Sequence, residues 1–539
     1  MIIGVDFDNT IVSYDELFYH QAFIQKLIPK NLASDKEAIR DYLRQQGKEK
    51  EWVNLQGEVY GPLIREAQAF PGVKEFFILC IKQKIPLYII SHKTKQPASG
   101  KQYDLHQAAM NWLVQNGFFT TLGLTKDSVF FETTQNMKEE RILKQECTHF
   151  IDDLPEFLCQ PSFPNKVERI LFDPNQRYAD EKGIHRFTHW EAMQYHLIPD
   201  NDLKKKINSL LSQSQLPNMK KVQPIQGGRN NKAYCVEVND NQKYLLKSYY
   251  YQEGMRDRLA SEYDFLTYAW TEGIRNIPQP LAQNEEHKLG LYTFIDGKKP
   301  ELKNITEKAI HQLITFWQAL NQHKEKAKNI INSSDCAFSI QENIASVQQR
   351  MDKLSTIDKT ANIHQDVAEF YTQELLPAWE RVQKHVKKKA AQLHLSTNEK
   401  TPQKDRFISP SDFGFHNTLL DGKGTFHFID FEYAGWDDPA KMVCDIFCQP
   451  ELPIAAKYFD TVMKYVVAMT SQPQKYLALA NIIYPICRIK FCCIILNEFI
   501  EEGFKRRQFS QSMHSKRKQE QLALAKKYIS TLTITGEDL

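Results

Sequence analysis

The chain of 539 residues exceeds what a single hydrophobic core usually holds, so two or three domains are expected. Its 42% hydrophobic and 25% charged side chains are those of an ordinary globular protein. Lys plus Arg number 69 against 66 Asp plus Glu, a net charge of +3 that argues against a dedicated nucleic-acid binder, and the Lys204-Lys205-Lys206 and Lys516-Arg517-Lys518 runs read as solvated helix faces.

Ten cysteines are sparse for this length, and none forms a C-x-x-C pair with a second ligand pair. Adjacent Cys492 and Cys493 lie in an apolar run and read as buried thiols, which favours a reducing compartment. The start at Met1-Ile2-Ile3-Gly4-Val5-Asp6 lacks the basic region and cleavage site of a signal peptide. No uncharged apolar run reaches the ~18–20 residues that span a bilayer. A cytoplasmic location without a membrane partner is therefore expected.

Residues 1–12 predict a buried strand (Ile2, Ile3, Val5, Phe7) ending in an acidic loop, and 14–69 predict amphipathic helices. A helix from Pro71 to Lys82, a strand at Pro86–Ile90 and a helix at Asp104–Asn116 follow. A strand at Ser128–Phe131, a helix at Met137–Glu146 and a strand at His149–Ile151 complete an alternation that indicates an α/β parallel sheet. Lysines, serines and prolines between Pro199 and Pro224 suggest an inter-domain linker, set at 199–222. Beyond it, Tyr234–Val238 and Lys243–Lys247 predict paired strands around Asn239-Asp240-Asn241, then a helix at Asp257–Trp270 and a strand near Gly290–Phe294. The remainder is largely helical, except for two short strands, Asn417–Leu420 and Thr425–Ile429, around the turn Asp421-Gly422-Lys423-Gly424.

Asp6-Phe7-Asp8-Asn9-Thr10 falls at the carboxyl end of the first strand, where open parallel sheets bind ligands. One carboxylate there can attack phosphorus, and another two residues on can protonate a leaving group and activate water. Ser91 ends a second apolar strand, Lys138 lies at a helix start, and Asp152-Asp153 ends a third strand with oxygen ligands suited to Mg²⁺. In this order the features resemble the haloacid dehalogenase superfamily of phosphohydrolases over residues 1–198. The resemblance implies a Rossmannoid parallel sheet with a small helical cap at about 14–69, Asp6 as nucleophile and Asp8 as general acid/base. It further implies Thr10 and Ser91 on phosphate, Lys138 (or nearby Lys144) bridging nucleophile and phosphoryl group, and Mg²⁺ held by Asp6, the Asp8 carbonyl and Asp152.

The segment Gly227-Gly228-Arg229-Asn230-Asn231 is a glycine-containing turn whose backbone could approach phosphates, and Lys247 with Glu262 could form the lysine–carboxylate pair that grips a nucleotide. Asp412, Asn417 and Asp430, in S-P-S-D-F-G-F-H-N and F-I-D-F-E, supply a carboxylate for an acceptor hydroxyl and two oxygen ligands for Mg²⁺. Here the chain resembles the aminoglycoside phosphotransferase and choline kinase group over about 222–500. That implies a protein-kinase-like α+β domain at 223–539, its N-lobe at about 223–300 and its helical C-lobe at 301–539. ATP would lie between the lobes, with Leu291–Gly297 as hinge. Asp412 would be the base, Asn417 and Asp430 the metal ligands, and Gly227, Gly228, Asn230, Lys247 and Glu262 the nucleotide-binding residues. Pro410-Ser411 stand where the family usually has His-Gly, and His416 reads as structural.

The expected activity joins an ATP-dependent kinase of a hydroxyl on a small polar metabolite (sugar, polyol or amino alcohol) to a Mg²⁺-dependent phosphomonoesterase, for instance in surface-polysaccharide precursor metabolism. A regulatory module that binds nucleotide or phosphate without turnover is the alternative. A nucleic-acid end-processing kinase–phosphatase is disfavoured by the charge balance and by the absence of G-x-x-x-x-G-K-[ST]. Neither the acceptor nor the oligomeric state is encoded legibly.

Overall fold

In the computed structural model, the described residues are 1–29, 32–179, 181, 183–198, 201–225, 231–239, 242–357, 362–500 and 516–532. They divide into two compact units, Met1–Asn201 and Asp202–Leu539.

The first unit is built on a six-stranded parallel sheet. Its strands are β1 (Ile3–Val5), β4 (Leu87–His92), β5 (Val129–Glu132), β6 (His149–Asp152), β7 (Glu168–Phe172) and β8 (Ile184–Phe187), ordered β5-β4-β1-β6-β7-β8. The fully buried apolar run of β1 is what a strand covered on both faces requires. Gly4 is obligatory there, since a Cβ would lie 2.6 Å from the Phe150 ring. The chain moves outward from β1 to β4 and β5, then returns to its other side at β6. That reversal opens a crevice at the carboxyl ends of β1, β4 and β6.

Between β1 and β4 a two-strand ladder, β2 (Val12–Ser13) with β3 (Gln68–Ala69), brackets the helices α1 (Asp15–Ile24), α2 (Lys36–Gln45) and α3 (Glu49–Tyr60). The remaining helices of the unit are α4 (Val73–Lys82), α5 (Leu105–Gln115), α6 (Gln135–Lys144), α7 (Pro155–Leu158) and α8 (Trp190–Leu197). Asp35, Asp104 and Thr134 cap α2, α5 and α6 with side-chain oxygens, which explains where these helices begin.

The stretch assigned to a linker is instead partly helical: α9 spans Asn201–Gln213, and Ile207, Leu210 and Leu211 bury one of its faces. Its lysines and serines are the solvent side of an amphipathic helix. The strand after it, β9 (Lys221–Ile225), also went unpredicted, because Pro224 and two charged or amide residues mask its alternation.

In the second unit β9, β10 (Asn231–Glu237), β11 (Lys243–Tyr249), β12 (Pro280–Asn284) and β13 (Leu289–Thr293) form an antiparallel sheet ordered β12-β13-β11-β10-β9. Helix α10 (Arg258–Thr271) lies between β11 and β12 in the chain and is capped by Asp257. Two small ladders follow, β14 (Phe407–Ser409) with β17 (Gly435–Asp437) and β15 (Thr418–Leu420) with β16 (Phe426–Phe428). They are set among α11 (Glu307–Asn321), α12 (Ile340–Ser355), α13 (Asn362–Phe370), α14 (Leu376–Gln392), α15 (Pro439–Cys448), α16 (Phe459–Val467), α17 (Pro473–Ile495) and α18 (Lys516–Ser530). The segment Pro473–Phe499 is long and apolar enough to cross a membrane, with mean hydropathy 1.8, but 72% of its window is buried within the protein. Lys490 in that helix is buried against Asp445 at 2.5 Å and Asp335 at 3.1 Å, as befits a core helix.

Candidate functional sites

In the first unit the sheet brings Asp6, Lys138 and Asp152 together. Asp6 follows β1, donates its backbone N–H to the Ile151 carbonyl (2.9 Å), and is buried. Asp152 ends β6. Lys138, in the second turn of the Thr134-capped α6, donates to Asp6 Oδ1 and Asp152 Oδ2, both at 2.6 Å. Lys144, the other candidate, is exposed at the end of α6.

Burial pushes the Asp6 carboxyl up to about 7; the Lys138 ammonium opposes this and the Asp152 charge adds to it. Lys138 is held above the usual lysine range because the two carboxylates outweigh its burial. Oxygens of Asp6, Asp152 and Asp153 lie within 4.8 Å of one another, a hard-oxygen set that fits Mg²⁺.

Asp8 is held differently. Its carboxylate accepts from Lys93 Nζ at 2.8 and 2.9 Å and from the Tyr14 hydroxyl at 2.6 Å. Asn9, directly after Asp8, sits at φ 57°, a left-handed turn that asparagine tolerates and that sends the chain back on itself. Thr10 donates to Asp153 Oδ1 at 3.3 Å, and its carbonyl accepts from Trp190 Nε1.

Ser91 lies one residue inside β4, which runs on to His92 rather than stopping at Ile90. Its hydroxyl is buried and, among the described residues, has no hydrogen-bond partner. A buried hydroxyl of this kind needs an acceptor. A phosphate oxygen would provide one.

Sequence reasoning missed Lys93, Tyr14, Lys36 and Tyr60. The helices between β2 and β3 deliver Lys36 and Tyr60, with the Lys36 ammonium 5.6 Å from the Tyr60 ring centre. Burial lowers the Lys36 pKa, but Tyr60, Asp153 and Asp8 outweigh it and hold that lysine charged. Lys93 was legible in principle, since a period of two places it on the same side as Ser91.

The second unit repeats the lysine-between-carboxylates arrangement. Lys247 on β11 donates to both Glu262 oxygens and to Asp430 Oδ1, all at 2.8 Å. Glu262 on α10 also accepts from the Tyr249 hydroxyl (2.7 Å) and the Phe431 N–H (3.3 Å). Burial works against ionisation of Asp430, yet the Lys247 ammonium prevails and holds it below the usual carboxylate range. Glu432, bonded by Asn231, is pushed up to about 7 by burial and by the Asp430 charge.

Asp412 stands on the loop after β14. Phe413 anchors that loop in an aromatic cluster, 5.1 Å from Phe428 and 5.5 Å from Phe316. Asn417 Nδ2 donates to the Asp412 carbonyl (2.9 Å), and the Ile429 N–H donates to the Asn417 carbonyl (3.0 Å), so Asp412, Asn417 and Asp430 are tied through short links. His416 Nε2 lies 3.4 Å from Asp412 Oδ1 and 3.2 Å from Gln449 Nε2.

Ser411 adopts φ 68° and Asp430 φ 71°. A left-handed Ser411 accounts for the glycine usual there and costs roughly 1–2 kcal/mol relative to it. Lys247, Glu262, Asp412, Asn417 and Asp430 all line one cavity of about 1240 Å³, and Tyr292–Gly297 forms part of its wall. Gly227, Gly228 and Asn230 lie outside the described residues.

Residues 221–453 match the model of the phosphotransferase enzyme (APH) family. Among solved structures, the choline kinase of Cryptosporidium parvum Iowa II is 14% identical over 56% of this chain and 89% of its own, at a TM-score of 0.35. Choline kinase LicA of Streptococcus pneumoniae is 17% identical over 61% and 99%, at 0.38. A spectinomycin phosphotransferase complexed with ADP and spectinomycin is 15% identical over 60% and 93%, at 0.41. No curated protein matches the chain. Residues 221–453 of the carboxy-terminal unit thus carry a segment similar to the phosphotransferase enzyme (APH) family.

Proposed function

We propose that the chain combines two phosphoryl-transfer activities: phosphorylation of a hydroxyl on a small polar metabolite at the cavity beside Asp412, and hydrolysis of a phosphate monoester at Asp6. The observation carrying the first half is the convergence of Lys247, Glu262, Asp412, Asn417 and Asp430 on one cavity within the matched segment. Lys247, fixed by Glu262, grips the nucleotide phosphates, and Asp412 takes the proton of the acceptor hydroxyl as its oxygen meets the γ-phosphorus. Asn417 and Asp430 would hold Mg²⁺, which when bound neutralises charge on the phosphoryl oxygens.

The second half rests on the Asp6–Lys138–Asp152 contacts together with the unpartnered Ser91 hydroxyl. Asp6 forms a bond to phosphorus while the ester oxygen leaves with a proton from Asp8. Water then attacks the same phosphorus and gives its proton to Asp8, the bond to Asp6 breaks, and inorganic phosphate departs. Lys138 balances charge on the nucleophile, and Thr10 and Ser91 hold the phosphoryl oxygens. Asp6, Asp152 and Asp153 would hold the Mg²⁺ that draws charge from those oxygens.

The test is ATP consumption against a panel of sugars, polyols and amino alcohols, with phosphate release from monoesters assayed separately. Asp412→Asn should cut transfer by about 10²–10⁴-fold and spare phosphate release. Asp6→Asn should do the reverse. No turnover by either half of the wild-type chain would leave only nucleotide or phosphate binding and overturn the proposal.

A further inference from the structure

The amino-terminal edge of the first unit's sheet, opposite Asp6 and Asp152, carries a second set of ligand side chains. His149 begins β6 and pairs in register with Glu168, which begins β7; β8 beside it contributes His185. Helix α8 packs back on β8 and brings His196. Three imidazoles converge on one carboxylate. His196 Nε2 is 2.7 Å and His185 Nε2 3.6 Å from Glu168 Oε1, and His149 Nε2 is 3.2 Å from Oε2. Ligand atoms of Glu168, His185 and His196 all lie within 4.8 Å of one another, and the His185 and His196 ring centres are 4.7 Å apart.

Hydrogen bonding holds the His149 ring in place. Thr148 Oγ1 accepts from the Ile2 N–H at 2.8 Å and lies 3.0 Å from the Ile2 carbonyl and 2.7 Å from His149 Nδ1, which leaves Nε2 facing Glu168. Protonating all three rings would crowd three positive charges around one negative one. A divalent ion satisfies the group at lower charge, and imidazole nitrogen beside a single carboxylate suits Zn²⁺ rather than Mg²⁺ or Ca²⁺.

We propose that Glu168, His185 and His196 form a zinc-type metal site, with His149 steadying Glu168 through its Thr148-fixed ring. The site is distinct from the phosphoryl centre: His149 and Asp152 are opposite ends of β6, roughly 10 Å apart at the rise of a strand. Its effect is structural. An ion there would tie the edge strand β8 and helix α8 to β7.

The test uses the full-length, tag-free protein with Mg²⁺ in excess, titrated with Zn²⁺ against a chromophoric chelator, and with Co²⁺ as a spectroscopic substitute. One equivalent of Zn²⁺ should survive gel filtration, and Co²⁺ should give the strong visible bands of a four-coordinate ion. Glu168→Gln, His185→Asn and His196→Ala should each abolish that equivalent; His185 is more than half exposed, so its variant should fold. His149→Ala should weaken binding by about 10–100-fold, the usual loss for an outer-shell partner. Asp152→Asn should leave it intact. The inference fails if less than one equivalent binds, if binding persists in the Glu168, His185 and His196 variants, or if Asp152→Asn removes it.

Discussion

Both centres set one lysine between two carboxylates, but they differ in how the triad is closed. In the first unit Lys138, Asp6 and Asp152 have side chains 3%, 7% and 0% exposed. In the second, Lys247 and Glu262 are 11% and 2% exposed, while Asp430 is 41% open to the cavity. A nucleophile that must carry a phosphoryl group benefits from a dry, pre-aimed site. A carboxylate that must meet an ion arriving with a nucleotide needs an open side. Under the proposed function, the same charge pattern would serve attack in one case and reception in the other.

Replacing each lysine sharpens that contrast most. Lys138→Met leaves two buried carboxylates facing each other and should destabilise the first unit by about 3–5 kcal/mol in the metal-free protein. Lys247→Met should lower stability less, because Asp430 can turn to solvent, while suppressing ATP turnover. Denaturant melts of the two variants, read by probes specific to each unit, measure the difference. Equal losses would break the comparison.

Ser91→Ala ranks next. Removing an unpartnered buried hydroxyl should leave the melting temperature unchanged or slightly raised, since its burial is otherwise uncompensated by about 1–3 kcal/mol. Phosphate release should nevertheless fall, by ~10-fold or more for one lost hydrogen bond of that size.

The smallest effect concerns pH. Asp6 and Glu432 are both pushed up to about 7, far above their unfolded values. Between the unfolded and folded pKa the native state retains a proton that the unfolded chain has lost, so stability should decline as pH rises from about 4 to about 7. Mg²⁺ at the first centre should flatten the part due to Asp6, and substitution Glu432→Gln the part due to Glu432. Chemical melts across that range, with and without Mg²⁺, check the sign.

The strands carrying Asp6, Ser91 and Asp152 were legible because continuous apolar runs end abruptly at polar residues, and Lys247 and Asp430 for the same reason, whereas Asp412 was found by its place in S-P-S-D-F-G-F-H-N. Lys36 was not legible, because a lone lysine in a sequence with 69 basic residues carries no signal until the fold aims it; Lys93 had only its two-residue spacing from Ser91 to give it away. Asp153 was read with Asp152 as an oxygen ligand at a strand end but was left out of the metal set with Asp6, beside which the geometry places it. Strands β12, β14 and β17 escaped because runs of three to five residues, one opened by proline, show too little alternation, whereas β13 was expected near Gly290–Phe294. Helix α9, inside the expected 199–222 linker, was not read as a helix because its polar face dominates its composition. The histidines around Glu168 come from separate elements, so no spacing rule could have joined them.

The ladder between Val12–Ser13 and Gln68–Ala69 has one more consequence. The helical excursion departs from and rejoins the sheet at adjacent points, so its length changes little for the rest of the unit, as closing a longer loop adds only about 0.6 kcal/mol per doubling. Yet this detachable cassette supplies Tyr14, Lys36 and Tyr60 to the mouth of the crevice. Selection could therefore exchange it wholesale, altering which molecule is admitted while Asp6, Ser91 and Asp152, the residues proposed to act on phosphate, stay where the strands put them.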